Sequence, residues 1–298
     1  MEKRKLMFKI ISICVIILLI LQIAFKTNEE IETPDHRRQS WLAQINWECQ
    51  RYHYSGKNIK VGVIDTGVDS TTSEIKKDIV FKHSVINNVG DKSDVSHGTA
   101  ICGIITGEPY NNKEILGVAP DAKIISIDVT DDEDGLVEIS NLVLGIKEAI
   151  EEKVDIINIS VGCMKGTDEL KEVIDAALSK NIIVVCSAGN LMENKMLFPS
   201  SYEGVISVGS KKRDGSIISP KGKLKKKVFY FPGENIVTSI GNKQYAGCNG
   251  TSFSTAICSG TIALLLEKNN DKKRVISYWN NIKDNYITDI KKIIDDYS

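Results

Sequence analysis

The chain has 298 residues, of which 42% are hydrophobic and 26% charged, and its formal net charge at pH 7 is −1. This length and apolar content suffice for one well-packed core but are small for two, which favours one globular domain. A net charge so close to zero argues against a nucleic-acid-binding protein, although short basic runs occur at 211–213 and 221–227. We interpret the second run, Lys221–Lys227, as the decoration of an exposed loop.

The amino-terminal segment has the pattern of a signal peptide or a signal anchor. Lys3, Arg4, Lys5 and Lys9 precede the apolar stretch 10–25, whose length is at the lower edge for a membrane span. No small-residue cleavage site follows, so we favour an uncleaved anchor and keep a cleaved signal as the alternative. Residues 1–30 are then a cytoplasmic basic stub plus anchor, with the remainder of the chain outside the cytoplasm.

Apolar runs and helical patterns alternate along the next part of the chain. Near-continuous β-branched and apolar runs predict buried strands at 61–65, 122–129, 154–160, 182–187 and 205–209. Helical periodicity at 137–152 and 168–179 lies between them, and residues 41–54 predict a short helical opening segment. We therefore expect an α/β fold of three layers, α/β/α, with a central and mainly parallel sheet. Residues 31–298 form this domain and end in a helical tail.

Three polar motifs interrupt these apolar patterns. Asp65 ends the first strand in Asp-Thr-Gly, His97 opens a helix in His-Gly-Thr, and Ser252 follows Gly250-Thr251 at the start of an apolar helix at 256–266. Each motif alone has a plain interpretation, such as a turn, a helix cap or a loop. Together they supply a serine nucleophile, a base and an acid, which nucleophilic catalysis requires. Ser254 lies deeper in the same helix, so Ser252 is the better candidate.

In their order Asp, His, Ser, the three motifs resemble the catalytic blocks of the subtilisin-like serine proteases. Triads on other folds use other chain orders, and the Gly-x-Ser-x-Gly elbow of the serine esterases is absent. The resemblance covers roughly Trp41 to Lys268. It implies a serine endopeptidase with Ser252 as nucleophile, His97 as general base and Asp65 as the group that orients it.

A fourth element follows the predicted strand at 182–187. The resemblance makes Asn190 the side-chain donor of the oxyanion hole, although a Gly-Asn turn is the plain alternative. It also implies that backbone groups bind an extended peptide substrate at Ser160, Val161, Gly162, Ala188 and Gly189. Asp65, Ser160 and Asn190 all follow strand ends, where ligands bind in parallel α/β sheets.

The segment after Asn190 bears on specificity. Leu191–Phe198 is expected to border the pocket for the residue before the cleaved bond. Glu193 either attracts a basic substrate side chain there or points into solvent. The stretch between the anchor and the first strand is too short for a propeptide domain, and none is expected. The chain then resembles the smaller family members that mature one partner, such as the leader peptidases of bacteriocins and lantibiotics.

We therefore predict a membrane-anchored endopeptidase that processes secreted peptide precursors. The alternatives are a broad-specificity exported degradative protease and an inactive peptide-binding relative. Its partners would be an extended peptide or protein substrate and the membrane, with no nucleic acid.

No cofactor or metal is predicted. None of the seven cysteines forms a Cys-x-x-Cys pair, which argues against zinc. Many relatives bind calcium in the loop after the histidine helix, and Glu74 falls where one would offer a ligand. Lys113 and Glu114, however, replace the small residues of a tight carbonyl loop.

Overall fold

The computed structural model describes residues 39–47, 53–75, 77–86, 96–108, 115–130, 137–190, 195–283, 287 and 289–297. The segment predicted as an anchor, Glu193, and the loop containing Lys113 and Glu114 lie outside these ranges. Within them, no helix combines the length and the apolar character needed to cross a membrane.

Strands and helices alternate over most of the chain, as the apolar patterns predict. The strands are β1 (Lys60–Asp65), β2 (Ile79–Ser84), β3 (Lys123–Asp128), β4 (Ile156–Ile159), β5 (Ile183–Ser187), β6 (Ile206–Lys211), β7 (Ile217–Ser219), β8 (Val228–Pro232), β9 (Ile236–Gly241) and β10 (Gln244–Cys248). The helices are α1 (Ser40–Ala43), α2 (Ser96–Thr106), α3 (Ile139–Glu151), α4 (Asp168–Ser179), α5 (Thr251–Lys268), α6 (Lys272–Asn281) and α7 (Ile290–Asp296).

The main sheet is parallel apart from one short strand. Its order is β2-β3-β1-β4-β5-β6-β7, and β8 adds to β6 in parallel. Ser207 of β6 pairs with both Cys186 of β5 and Val228 of β8, so β5 and β8 lie on opposite sides of β6. Antiparallel β7 continues beyond the end of β5, and β9 and β10 form a separate hairpin. The carboxyl ends of β1, β4 and β5 are therefore adjacent at one edge.

Helices cover both faces of the sheet. Val61 and Val63 of β1 belong to the core that includes α2 and α5, whereas Ile64 belongs to the core formed with α3 and α4. This alternation follows from the two-residue period of a strand. Helix α5 is buried on all sides from Thr251 to Leu266, as expected for a central helix whose apolar residues surround its whole axis. The three-layer α/β/α prediction is confirmed.

The element boundaries differ from the expectations in a few places. Helix α5 begins at Thr251, five residues before the predicted start at Ala256, because small polar residues lower the apolar signal of its first turn. In the predicted helical segment 41–54 the α-helix ends at Ala43, and residues 48–52 lie outside the described ranges. Strands β2 and β7–β10 were not predicted. Strand β7 has only three residues and β2 and β10 are partly exposed, so these three carry little periodic signal, whereas β8 and β9 are buried and were missed.

Candidate active site

Asp65 and His97 meet at the carboxyl end of β1. Asp65 is the last residue of that strand, and His97 is the second residue of α2. His97 Nδ1 lies 2.6 Å from Asp65 Oδ1, and the Asp65 side chain is only 1% exposed. The N–H of Thr66 donates to the same carboxylate oxygen at 2.8 Å. A buried carboxylate at Nδ1 favours the tautomer with a proton there, which leaves Nε2 to accept the proton of a nucleophile.

A glycine allows α2 to approach the turn after β1. The N–H of Gly98 donates to Thr66 Oγ1 at 3.0 Å. A Cβ at this position would lie 1.9 Å from the carbonyl oxygen of Gly67, so any other residue would push the helix away. The Asp65–His97 contact therefore depends on the glycine that follows the histidine.

Ser252 is the second residue of α5, after a turn at Gly250 with φ 131°. Its hydroxyl donates to the carbonyl of Ser160 at 3.1 Å, and the residue is 8% exposed. The ring of the next residue, Phe253, packs against the His97 imidazole, with centroids 5.4 Å apart. The structure thus brings the amino-terminal turn of α5 next to His97.

Ser254 points elsewhere. Its hydroxyl donates to the carbonyl of Pro232 at 2.8 Å, and the residue is completely buried. Its position against β8 makes it part of the packing between sheet and helix. Of the two serines, only Ser252 lies at the site.

The Asn190 side chain links the loop after β5 to the first residue of α5. Its Oδ1 accepts hydrogen bonds from the Thr251 N–H at 2.7 Å and from Thr251 Oγ1 at 2.9 Å. With Oδ1 engaged in this way, Nδ2 is the end of the amide that can donate to a ligand. Asn190 therefore lies beside the start of α5, where the backbone N–H of Ser252 offers a second donor.

The residues predicted to bind substrate lie in two segments flanking this point. Ser160 and Val161 follow β4 and have buried side chains. Ala188 uses both backbone groups within the protein, since its N–H donates to Val208 and its carbonyl accepts from Leu197. The Gly189 carbonyl accepts from Ser219 Oγ at 2.7 Å. Internal bonds therefore hold the 188–190 segment in place.

Gly162 and Gly189, one in each segment, face the same side chain. A Cβ on Gly189 would lie 2.8 Å from Leu197 Cγ, and one on Gly162 would lie 3.1 Å from Leu197 Cβ. Leu197 itself is 3% exposed. Its side chain thus occupies the space between the two predicted substrate-binding segments.

A series of buried, hydrogen-bonded side chains leads to the backbone of Ser252, and the sequence patterns did not predict it. Ser259 Oγ donates to Asn158 Oδ1 at 2.9 Å, and Asn158 Nδ2 donates to Ser160 Oγ at 3.0 Å. Ser160 Oγ in turn donates to the Ser252 carbonyl at 3.3 Å. The signal that could have identified it is the single amide of Asn158 within the apolar strand β4.

The described residues hold no group of three or more His, Cys, Asp or Glu able to bind a metal. Glu74 is 3% exposed, and its Oε1 has no hydrogen-bond partner within the described ranges. Calcium takes six to eight oxygen ligands, far more than this one free oxygen, and the absence of a metal stays a prediction.

This arrangement can catalyse acyl transfer. Ser252 Oγ attacks a peptide carbonyl while His97 takes its proton and later returns it to the leaving amine. Asp65 stabilises the imidazolium that forms in between. The N–H of Ser252 and the Asn190 amide stabilise the negative oxygen of the tetrahedral intermediate. Water then hydrolyses the acyl-enzyme by the same steps in reverse.

Comparisons with known proteins agree with this chemistry. The model of the subtilase family matches residues 56–295. The major intracellular serine protease of Bacillus subtilis (strain 168) is 34% identical over 253 residues, covering 82% of this chain and 79% of the relative. Subtilisin DY of Bacillus licheniformis is 32% identical over 229 residues, covering 74% and 81% respectively. The structure of the prenylagaramide maturation protease PagA has the same fold, with a TM-score of 0.69 and 21% identity over 85% of this chain and 98% of PagA.

The matched region contains every element that carries Asp65, His97, Asn190 and Ser252. The chain belongs to the subtilase family and is a serine endopeptidase of the Asp/His/Ser type.

Proposed function

We propose that this subtilase processes secreted peptide precursors at few sites and prefers a small residue before the cleaved bond. The position of Leu197 carries this proposal. In an extended substrate bound along 160–162 and 188–190, the side chain before the cleaved bond points between these two segments. Leu197 already lies there, in near contact with both Gly162 and Gly189.

A pocket filled by a leucine admits glycine, alanine or serine and rejects larger side chains by steric overlap. Each excess methylene in a hydrophobic pocket is worth about 1–3 kcal/mol of discrimination. A pocket restricted to these three residues excludes most residue types before the cleaved bond. A narrow cleft therefore suits maturation better than general degradation. The shared fold with PagA, named as a maturation protease, accords with this role.

The pocket is tested with a peptide library in which every amino acid occurs in turn at the position before the cleaved bond. The wild-type protein should cut after small residues and leave casein largely intact. Leu197→Ala should raise the kcat/KM for large apolar residues at that position by about ten-fold or more, because it empties the pocket. Leu144→Ala is the matched control, since Leu144 is 45% exposed on α3, a helix that carries none of the site residues.

Two other outcomes would contradict this preference. Cleavage after lysine or arginine would support the role of Glu193, which lies outside the described residues. Rapid digestion of casein at many sites would instead support the exported degradative protease.

The second part of the proposal concerns location. The basic residues before the apolar stretch 10–25 favour an anchored protein with its catalytic domain outside the cytoplasm. Shaving of intact cells with an added protease should remove a carboxyl-terminal tag from a Ser252→Ala variant, which cannot cleave itself. Digestion only after lysis would contradict the orientation. A mature protein in the medium that begins near Lys26 would contradict the anchor and support a cleaved signal.

A further inference from the structure

Lys226 departs from the expectation for its basic run. Lys221, Lys223, Lys225 and Lys227 are exposed, as predicted for a surface loop, but Lys226 is half-buried just before β8. The interpretation of 221–227 as loop decoration is therefore wrong for Lys226. A lysine side chain is withdrawn from water only at a cost in solvation, so its partners matter.

Three backbone carbonyls converge on the Lys226 ammonium. Nζ donates to the Tyr202 carbonyl at 2.7 Å, to the Ser200 carbonyl at 3.2 Å and to the Val205 carbonyl. An ammonium has three protons to donate and no lone pair, so this set of acceptors matches its capacity. Three carbonyl oxygens around one point direct the negative ends of their dipoles at it, which favours a cation with three N–H donors there.

The charge persists at neutral pH. Burial lowers the pKa of Lys226 to about 8, while the nearby Cys186 and Glu203 oppose that shift. The side chain is then mostly protonated at pH 7.

The 200–205 turn held by Lys226 lies just after Leu197 and Phe198, which form the wall of the substrate pocket. Phe198 exchanges two backbone hydrogen bonds with Cys163, of 2.8 and 2.9 Å, and the N–H of Leu197 donates to Ala188. The ring of Tyr202 packs on that of Phe198, with centroids 4.9 Å apart. The 200–205 turn is thus the outer support of the residues that fill the space between Gly162 and Gly189.

We propose that the Lys226 ammonium is a built-in cation that holds the 200–205 turn and thereby positions the Leu197–Phe198 wall of the substrate pocket. Lys226 is a positioning residue, since it lies behind the wall. This role rests on the pocket between 160–162 and 188–190 that the proposed function assigns, but not on the processing of precursors.

Lys226→Met tests the inference, because it keeps the length of the side chain and removes the donors. We expect a rise in KM of about ten-fold for peptide substrates, equal to about 1.4 kcal/mol of lost binding. The rate of labelling by a small fluorophosphonate should stay unchanged, because that reaction depends on the catalytic residues and not on the substrate pocket. Amide exchange in 198–205 should become faster. Lys225→Met is the matched control and should leave all three readouts at wild-type values.

Chemical rescue separates a cation site from general packing. In Lys226→Ala, propylammonium should restore the wild-type KM with saturation, because it replaces the atoms removed. Tetramethylammonium at equal ionic strength has no N–H and should not restore it. Should this variant need help to fold, the refolding yield in the two salts serves as the readout. If the two salts had the same effect on KM, or on the refolding yield, the proposal would be overturned, whatever the size of that effect. A wild-type KM in Lys226→Met would also overturn it.

Discussion

The hydroxyls of Ser252 and Ser254 point in different directions, and this difference decides which one can react. The Ser252 hydroxyl donates to the Ser160 carbonyl, whereas Ser254 is completely buried against Pro232. A hydroxyl enclosed by backbone carbonyls has no path to a substrate. The offset of two residues along α5, a little over half a helical turn, thus separates a nucleophile from a packing residue.

Fluorophosphonate labelling should depend on Ser252 alone. We expect Ser252→Ala to abolish labelling and Ser254→Ala to retain it at a similar final yield, with a modest loss of stability from the buried hydroxyl. The label is read by mass spectrometry of the modified peptide. Labelling that survives Ser252→Ala and disappears in Ser254→Ala would reverse the assignment.

The two hydrogen bonds from Thr251 orient the Asn190 amide. Thr251→Val removes the 2.9 Å bond from Oγ1 and keeps the 2.7 Å bond from the backbone. We expect kcat to fall by about 2- to 10-fold with little change in KM, as for one lost neutral hydrogen bond. Asn190→Leu should cost about 100- to 1,000-fold in kcat, the loss measured for an oxyanion donor in subtilisin.

A double-mutant cycle tests whether Thr251 acts through Asn190. In the Asn190→Leu background, Thr251→Val should change kcat by less than about two-fold. An undiminished effect of Thr251→Val in that background would contradict the coupling.

At the scale of elements, the active site depends on how α5 is joined to the sheet. Helix α5 crosses behind β4, and the chain from Ser259 through Asn158 to Ser160 links their polar groups in an otherwise apolar core. Such a link fixes the position of α5 along β4, because a shift of the helix would leave the buried Asn158 amide without its partners. The position of Ser252 relative to the end of β4 follows from that register.

Ser259→Ala should destabilise the protein by about 1–3 kcal/mol, since Asn158 Oδ1 loses its donor in a buried place. Denaturant unfolding in a Ser252→Ala background measures this without autolysis. Ser179→Ala removes an exposed helical hydroxyl and should stay within about 0.5 kcal/mol of the parent. Equal effects of the two substitutions would show that the polar link carries no stability.

At the scale of the whole molecule, the cysteines report how tightly the domain is packed. The described ones, Cys102, Cys163, Cys186, Cys248 and Cys258, are all free and buried. Burial raises the pKa of Cys163 to about 11 and that of Cys248 to about 12, and it also raises the pKa of the other three. Their thiolate fraction at pH 8 is then about one in a thousand or less.

Native protein at pH 8 should therefore leave these five cysteines unlabelled by iodoacetamide over minutes, and guanidinium should expose all five. Peptide mapping distinguishes them from Cys14 and Cys49, which lie outside the described ranges. An introduced cysteine, Ser179→Cys, is the exposed control and should react at once. Rapid labelling of Cys102 or Cys258 in native protein would show that the helices carrying His97 and Ser252 open readily.

The sequence by itself determined the fold class and the motifs that carry the chemistry. Buried parallel strands such as β1 are read from continuous apolar runs, and α4 has the predicted bounds because its apolar residues recur at helical spacing. Asp65, His97 and Ser252 stand out because each interrupts a local pattern, and the order of the motifs along the chain is itself a sequence property. Each motif and each element depends on neighbours within a few residues, and their order is read directly along the chain.

Only the tertiary structure decided which distant groups meet. Three contacts join residues that are separated along the chain. Leu197 lies between Gly162 and Gly189, Ser259 bonds to Asn158, and three carbonyls surround Lys226. Lys226 is the clearest case, since in sequence it is one lysine in a run of exposed ones. Its burial arises because β8 pairs with β6 and brings Lys226, two residues before β8, over the 200–205 turn. Contacts of this kind depend on how the strands are arranged in space, and local periodicity carries no information about them.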